Sequence, residues 1–272
     1  YVDLQVSEGT YIPPVLTDYP EDNPFQGIYK PVYDRPFPDV DANYPYVDDT
    51  RKYRFLVWYG YNFVLRLLTL ILRVKYGLRY KGTENLKKYK HYFKNGAITI
   101  ANHVFMWDFL CVMKAMRPRL GFFPAWKINA ASVLSAIHAK CNTRIPMFAP
   151  NFKTKDQFYL RIVGGIPIPA PEEGLSAMKA FNAAFDEFDK RGYWFHIFPE
   201  AKRWDWYKPI RPFQKGAFTM AYKYNKPIIP CVITYRPRTG IFRLLGPANE
   251  PLVQVTIGEP IIPDTTQPRA AE

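Results

Sequence analysis

The sequence predicts an α/β fold in which a β-sheet is flanked by helices. From residue 76 onward, short apolar runs that end in polar residues alternate with longer runs of helical periodicity. A length of 272 residues with 48% apolar content is enough for one large domain with a substantial core. We therefore divide the chain into a leader over residues 1–50, an apolar helix over residues 51–75 and an α/β domain over residues 76–272.

The leader differs from the rest of the chain in composition and charge. It is rich in Pro, Asp and Tyr without periodicity, so an extended segment that covers the body and a disordered tail both stay open. It carries two basic and ten acidic residues, whereas residues 51–272 carry 35 basic and 14 acidic residues, a net charge of +21. Such a basic body predicts a negatively charged partner, and nucleic acid, anionic membrane and phosphorylated substrates are the candidates.

Residues 55–72 form an apolar run interrupted only by Gly60, Asn62, Arg66 and Thr69. These 18 residues are at the lower limit for spanning a bilayer. A central Arg66 costs about 2.5–3.5 kcal/mol on insertion scales. Both flanks are basic and the start is aromatic, which favours a membrane-associating helix in or on one leaflet over a spanning helix and over a buried core helix.

A short apolar strand over residues 97–101 ends at Asn102 and His103, and a helix with Asp108 near its start follows. On one continuous helix, side chains five residues apart point about 140° away from each other, so His103 and Asp108 meet only if the chain turns between them. A carboxylate that orients an imidazole makes it a general base for an alcohol. Since no G-x-S-x-G elbow or cysteine signature supplies a nucleophile, the alcohol would be a substrate hydroxyl. A structural histidine with a helix-capping aspartate is the alternative.

A second polar group follows the apolar strand predicted over residues 193–198. It places Glu200, Lys202 and Arg203 at the strand end, within a wider basic run that suits phosphate binding by a guanidinium group. That run continues with Lys208, Arg211 and Lys215. Within the strand, His196 is expected to be a packed residue rather than a catalyst.

Further elements complete the predicted alternation. The helix over residues 172–190 should bury one apolar face, made of Leu175, Met178, Phe181, Ala184, Phe185 and Phe188. A strand over 120–124 and a helix over 128–139 precede a stretch, residues 141–162, for which the sequence predicts no path. A glycine pair, Gly164-Gly165, leads into another strand, and a tight turn is favoured there over a ligand contact. Three cysteines without C-x-x-C argue against a disulfide framework, and His138 with Cys141 is weak support for a metal site.

Four blocks in this order resemble the 1-acylglycerol-3-phosphate acyltransferase family of glycerolipid acyltransferases, over about residues 76–261. The blocks are Asn102-His103 with Asp108 for N-H-x-x-x-x-D, Gly165-Ile166-Pro167-Ile168 for the second block, Phe198-Pro199-Glu200 with Arg203 for F-P-E-G-T-R, and Ile229-Pro230 for the short proline block. The segment after the third block, Lys215-Gly216-Ala217-Phe218, is also similar to its counterpart. One block alone is weak support, whereas four in order are strong.

The resemblance implies a mixed β-sheet flanked by helices, glycerolipid acyltransferase-like, preceded by an N-terminal apolar membrane-associating helix. It also implies an O-acyltransferase of phospholipid biosynthesis that works without a metal or bound cofactor. The donor would be a thioester of acyl-CoA or acyl carrier protein. The acceptor would be a lysophospholipid, foremost 1-acyl-sn-glycerol-3-phosphate giving phosphatidic acid. The expected location is an anionic membrane surface on the cytoplasmic side, with no nucleic acid as partner.

The resemblance also implies a role for each matched residue. His103 would deprotonate the acceptor hydroxyl, and Asp108 would orient it. Glu200 and Arg203 would shape the acceptor site, with Arg203 on the glycerol phosphate. Further substrate contacts are expected at Lys127, Lys202 and Gly165.

Three departures from the family pattern bear on the acceptor. Ala201-Lys202 stands where the family usually has Gly-Thr, Pro169-Ala170 replaces an acidic-Arg pair after the second block, and Phe105 replaces a common Ser. An acyltransferase for glycerol 3-phosphate or another lysolipid therefore stays open. A non-catalytic module that binds anionic membranes is the remaining alternative, and the intact His103 and Asp108 argue against it.

Overall fold

The structure is a computed structural model that describes residues 32–116, 143–246 and 248–266. Its strands are β1 (Arg79–Lys81), β2 (Ile98–Ala101), β3 (Thr143–Phe148), β4 (Gly165–Ile168), β5 (Trp194–Ile197), β6 (Ile228–Arg236) and β7 (Leu252–Ile257). Its α-helices are α1 (Arg51–Tyr59), α2 (Leu65–Tyr76), α3 (Thr83–Lys88), α4 (Asp108–Met116), α5 (Gln157–Ile162), α6 (Gly174–Lys190) and α7 (Gly216–Tyr224). The strand and helix predicted over 120–139 lie outside the described residues.

All these strands join in one sheet with the order β1-β7-β6-β2-β5-β3-β4. The five strands from β6 to β4 run parallel, whereas β7 is antiparallel to β6 and parallel to β1. The predicted mixed sheet flanked by helices is thereby confirmed. Because neighbouring parallel strands end at the same edge of a sheet, the segments that follow β2 and β5 meet there.

Alternating side chains of the central strand β2 enter two cores. Ile98 and Ile100 pack with α6 and α7 on one face, while Ala101, and Ala97 just before the strand, pack with α2 and α4 on the other. Both faces of the sheet are therefore covered by helices, and its polar groups emerge at the strand ends.

The apolar stretch predicted as one helix is helical but divided. A π-helical segment, Gly60–Val64, separates α1 from α2. A Cβ atom at Gly60 would lie 1.9 Å from Cγ2 of Ile162, so the glycine permits close approach to α5. Leu72 and Tyr76 are buried in the core. Within the described residues, no helix has the length and apolar character needed to cross a membrane.

The long helix α6 buries four of the six side chains predicted for its apolar face. Leu175 is 81% exposed and Met178 is 36% exposed, so the prediction was wrong for these two side chains. The buried residues are Ala177, Phe181, Ala184, Phe185 and Phe188. At about 100° per residue, Leu175 lies about 140° from the centre of that stripe, so the helix turns it away from the sheet.

The described part of the leader, residues 32–50, contains no helix or strand and lies against the α6 face. Val40 and Tyr46 are buried, and the Tyr46 ring contacts Phe181 edge-on with centroids 5.8 Å apart. Asp49 pairs with Arg191 through two contacts of 2.9 and 3.1 Å. Acidic leader side chains thus neutralise part of the basic body. The division of the chain into leader, helix and α/β domain stays a prediction.

Candidate active site

The end of β2 is fixed by the side chain of Asn102. Its Nδ2 donates to the carbonyl of Ile233 at 3.0 Å, and the Ile233 N–H donates to its Oδ1 at 2.8 Å. The buried amide therefore bonds to β6 as a backbone peptide would, while the chain leaves the sheet and turns toward α4. The hydrogen bonds of Asn102 fix the start of this turn, and the first residues of α4 form its end.

The turn brings the side chains of His103 and Asp108 together. The His103 Nδ1 lies 2.7 Å from the Asp108 Oδ2. Asp108 is buried, and its two oxygens also accept the N–H groups of Val104, Phe105 and Phe109 at 2.8, 3.3 and 2.7 Å. A carboxylate at this position accepts a hydrogen bond from Nδ1–H, which leaves Nε2 as the basic nitrogen. The His103 side chain is 23% exposed, and Nε2 has no hydrogen-bond partner among the described residues.

Glu200, which follows β5, supports the backbone of this turn. Its Oε2 accepts the His103 N–H at 2.9 Å and the Arg211 Nη2–H at 2.9 Å, while its Oε1 accepts the Arg211 N–H at 2.8 Å. Both side chains of the ion pair are buried, and the Arg211 guanidinium lies 4.4 Å from the Trp204 ring centroid. Arg211 is therefore a buried partner of Glu200, and its assignment to a phosphate-binding run was wrong.

The imidazole of His103 rests on an aromatic ring. Phe198 stacks on it with centroids 4.0 Å apart and an interplanar angle of 14°. His196 contacts the same phenyl ring edge-on, with centroids 4.5 Å apart. The packed position predicted for His196 is confirmed, because its residue is fully buried and its Nδ1 lies 2.8 Å from the Thr99 Oγ1. Burial lowers the pKa of His196 to about 4, so this imidazole is neutral near pH 7.

Residues 203–206 lie along the same turn. The N–H groups of Trp204 and Trp206 donate to the carbonyls of His103 and Val104 at 3.0 and 2.7 Å. Between the two tryptophans, Asp205 Oδ1 lies 2.8 Å from the Arg203 Nε. Burial raises the pKa of the Asp205 carboxyl, while Arg203 and His103 act in the opposite direction.

The remaining predicted contacts lie in different places. Lys202 has an exposed side chain, and its carbonyl accepts a hydrogen bond from Arg211. Gly165 begins β4, three strands away from β2 in the sheet order, so the structure does not bring it to the dyad. A Cβ there would lie 2.7 Å from the Leu160 carbonyl oxygen, which accounts for a glycine by packing alone. Lys127 lies outside the described residues. The substrate roles of these residues stay predictions.

Three residues of the site, Asn102, Phe198 and Asp205, had no role assigned from sequence, and a fourth, Arg211, was assigned a wrong one. Asn102 and Phe198 belong to the recognised blocks, so a sequence signal for them existed, although the block pattern does not say what either side chain contacts. Arg211 and Asp205 carry no such signal, because nothing in the spacing of residues 201–215 distinguishes a buried charge from a solvated one. In the described part of the chain, no group of three or more His, Cys, Asp or Glu side chains could hold a metal ion.

Among the described residues, the site at this edge of the mixed sheet holds a carboxylate-oriented histidine with no serine or cysteine nucleophile beside it, an arrangement that can deprotonate a substrate hydroxyl. A family model described as Acyltransferase matches residues 77–234, and the chain belongs to this family. This membership confirms the acyltransferase predicted from the motifs.

No curated protein matches the chain significantly in sequence. Among solved structures, the chain is similar to the 1-acyl-sn-glycerophosphate (LPA) acyltransferase PlsC from Thermotoga maritima, with 19% sequence identity and a TM-score of 0.43. The similarity covers 80% of this chain and 75% of that chain.

Proposed function

We propose that this acyltransferase moves a fatty acyl group from an acyl-CoA or acyl carrier protein thioester to the hydroxyl of a lysophospholipid. The foremost acceptor is 1-acyl-sn-glycerol-3-phosphate, with phosphatidic acid as the product. The observation that carries the proposal is the 2.7 Å contact between the His103 Nδ1 and the buried Asp108 carboxylate, which leaves Nε2 basic in a partly exposed ring.

The reaction follows from the His103 tautomer that is protonated on Nδ1 and basic at Nε2. Nε2 of His103 takes the proton of the acceptor hydroxyl while its oxygen attacks the thioester carbonyl carbon. The C–O bond forms, the C–S bond breaks, and the leaving thiolate takes the proton back from the imidazolium. Asp108 stabilises the imidazolium that forms between these steps. The stacked Phe198 ring fixes the plane of the imidazole, and Glu200 fixes the backbone that carries it.

Residues that follow the third block's strand bear on which acceptor the enzyme uses. Arg203 lies close to the dyad and has the guanidinium chemistry that binds a phosphate. Asp205 already occupies its Nε, at 2.8 Å. This pair favours a second candidate acceptor, a lysolipid whose phosphate is esterified to a head group. Such a phosphodiester carries less negative charge than the phosphomonoester of 1-acyl-sn-glycerol-3-phosphate.

We also propose that the protein works at an anionic membrane surface on the cytoplasmic side. Helix α2 buries Leu72 and Tyr76 in the core. On their other side, α2 and the π-helical segment before it expose apolar side chains, among them Phe63, Leu67, Ile71 and Val74. Basic residues flank this face, with Arg51 and Lys52 before it and Arg73 within its last turns. An apolar face with a basic border suits the interface of an anionic bilayer.

The test is thioester consumption by the purified full chain with 1-acyl-sn-glycerol-3-phosphate and with other lysolipids. The wild type is compared with His103→Ala and with His91→Ala, whose histidine is exposed and outside the site. We expect thiol release that requires an acceptor, falls by about 10²–10⁴-fold in His103→Ala and stays unchanged in His91→Ala. Thiol release without any acceptor, or equal rates in the two variants, would contradict the proposed function.

A further inference from the structure

A second exposed apolar group lies between β6 and β7. We call residues 239–246 the β6–β7 loop; it contains the 3₁₀ turn Gly240–Arg243. Ile241, Leu244 and Leu245 in this loop are 66%, 86% and 38% exposed. Three large apolar side chains directed to water within five residues are unfavourable for a surface that meets only solvent.

The loop is nevertheless firmly built. The Phe242 ring packs at the end of α2, so that a Cβ on Gly77 would lie 3.1 Å from its Cε1. Arg238, which is 9% exposed, donates to the carbonyl of Phe242 in the loop and to that of Glu250 just before β7, and so ties the loop to the segment that follows it. Lys75 of α2 pairs with Glu250 at 3.1 Å. The exposed apolar side chains are therefore presented by a braced segment.

The loop lies at the edge of the sheet that carries the dyad. β6 runs parallel to β2, with Cys231 opposite Ala101, and continues for five further residues to Arg236. At about 3.3 Å per residue, β6 carries the chain about 17 Å beyond the level at which β2 ends. The β6–β7 loop therefore extends beyond His103 at the same edge of the sheet.

The charge around the loop identifies its partner. Arg243 lies between the exposed apolar residues and is itself exposed, and Arg73 and Arg79 are exposed on the neighbouring α2 and β1. Contacts between α2 and the 3₁₀ turn join the loop to the part of the chain that exposes Leu70, Ile71 and Val74. Apolar side chains among guanidinium groups suit the interface of a bilayer with anionic head groups.

We propose that the β6–β7 loop is a membrane-contact element, in which Ile241, Leu244 and Leu245 insert into the interface of an anionic bilayer and Arg243 binds its head groups. The loop would turn the dyad edge of the sheet toward the lipid, so that an acceptor embedded in the bilayer reaches His103 without leaving it. The proposal deepens the membrane association proposed above, and it rests on the proposed acyl transfer only for this last consequence, because binding to lipid is measured without turnover.

The experiment is sedimentation of the full chain with vesicles of phosphatidylcholine and phosphatidylglycerol, without substrates. The variant is Ile241→Glu with Leu244→Glu, and its matched control is Ile262→Glu. Ile262 is 45% exposed and adjoins Ile261, which bridges to Ile228 at the opposite end of β6. We expect the loop variant to partition onto vesicles at least about tenfold less than the wild type, and Ile262→Glu to stay within about twofold of it. Thermal denaturation of all three proteins verifies their folding.

A second variant, Arg243→Gln, separates the electrostatic contribution to vesicle binding from the contribution of the apolar side chains. We expect about fivefold weaker binding to the anionic vesicles and unchanged binding to pure phosphatidylcholine. Equal vesicle binding by the wild type and the loop variant would overturn the proposal, as would a change of oligomeric state in light scattering without a change in vesicle binding. Acyl transfer by His103→Ala tests the proposed catalytic role alone, and vesicle binding by the loop variants tests the membrane-contact loop alone. The two proposals can therefore fail independently.

Discussion

The Oε2 atom of Glu200 accepts the backbone N–H of His103 at 2.9 Å. This bond joins the third sequence block to the first, since Glu200 follows β5 and His103 follows the neighbouring β2. The same carboxylate is held by Arg211 through its side chain and its backbone. The position of the imidazole therefore depends on a buried ion pair that holds the backbone of His103.

Replacement of Glu200 tests this support. In Glu200→Gln, the amide keeps the shape of the side chain but leaves the buried Arg211 cation without its counter-charge. We expect a loss of about 3–5 kcal/mol in the free energy of unfolding, measured by urea denaturation. The control is Glu259→Gln, which breaks an exposed pair with Lys88 and should leave the denaturation midpoint unchanged. A midpoint for Glu200→Gln equal to that of the control would show that the pair contributes no stability.

Asp108→Asn separates orientation of the imidazole from folding of the turn. The amide retains an oxygen for one of the backbone N–H groups, but its NH₂ group favours the wrong tautomer of His103. We expect kcat to fall by about 10²–10⁴-fold while the far-UV circular dichroism spectrum is retained. A folded Asp108→Asn protein with wild-type kcat would exclude Asp108 as the orienting residue.

The sequence was informative where a contact is local. His103 and Asp108 are five residues apart, so a single turn determines whether they meet, and the blocks identified that turn. Glu200 was placed at the same edge because it ends a strand. The helix α6 and most of its buried stripe were also predicted, but Leu175 and Met178 were wrongly included, because they have the same apolar character as the buried Phe181 and differ from it in helical phase.

The rest of the site depends on contacts between distant segments. Residues 198–215 contain several Lys and Arg residues that are chemically similar. Only the three-dimensional path shows that Arg211 is buried beneath Trp204 while Lys202 is exposed. Likewise, the sequence separation of two residues between Arg203 and Asp205 does not predict that their side chains form an ion pair. Periodicity and motif spacing do not contain this information.

Ala201 provides a test of backbone strain. Its φ of 61° lies in the left-handed region, where a Cβ atom is unfavourable by about 1–2 kcal/mol, and the related block usually has glycine there. Glycine also gains entropy in the unfolded chain, which offsets part of this strain. We therefore expect Ala201→Gly to stabilise the protein by about 0.5–1 kcal/mol in urea denaturation. Ala217→Gly, at a buried site in α7, should destabilise it, and destabilisation by both variants would contradict the strain argument.

The buried His196 should make stability depend on pH. Its folded-state pKa of about 4 is below the ordinary value of 6.5, so between these pH values only the unfolded chain binds the proton. Stability is therefore lost as the pH falls from about 6.5 to about 4, by about 3 kcal/mol from this group. The comparison is urea denaturation of the wild type and of His196→Gln at pH 7 and pH 4. An equal loss of stability in both proteins would show that His196 does not contribute.

Asp205 should influence which acceptor is used, because its carboxylate shares Arg203 with any phosphate that binds there. Asp205→Asn keeps the size of the side chain and removes its negative charge. A phosphomonoester carries more negative charge than a phosphodiester, so it gains more from this change. We expect the ratio of kcat/KM for 1-acyl-sn-glycerol-3-phosphate to kcat/KM for a lysophosphatidylglycerol to rise by about tenfold. The control is Asp186→Asn, which removes a carboxylate from the pair with Lys223 between α6 and α7, and should leave the ratio unchanged. If the ratio is the same in both variants, the acceptor phosphate binds away from Arg203, and the cation that holds it must be sought elsewhere in the chain.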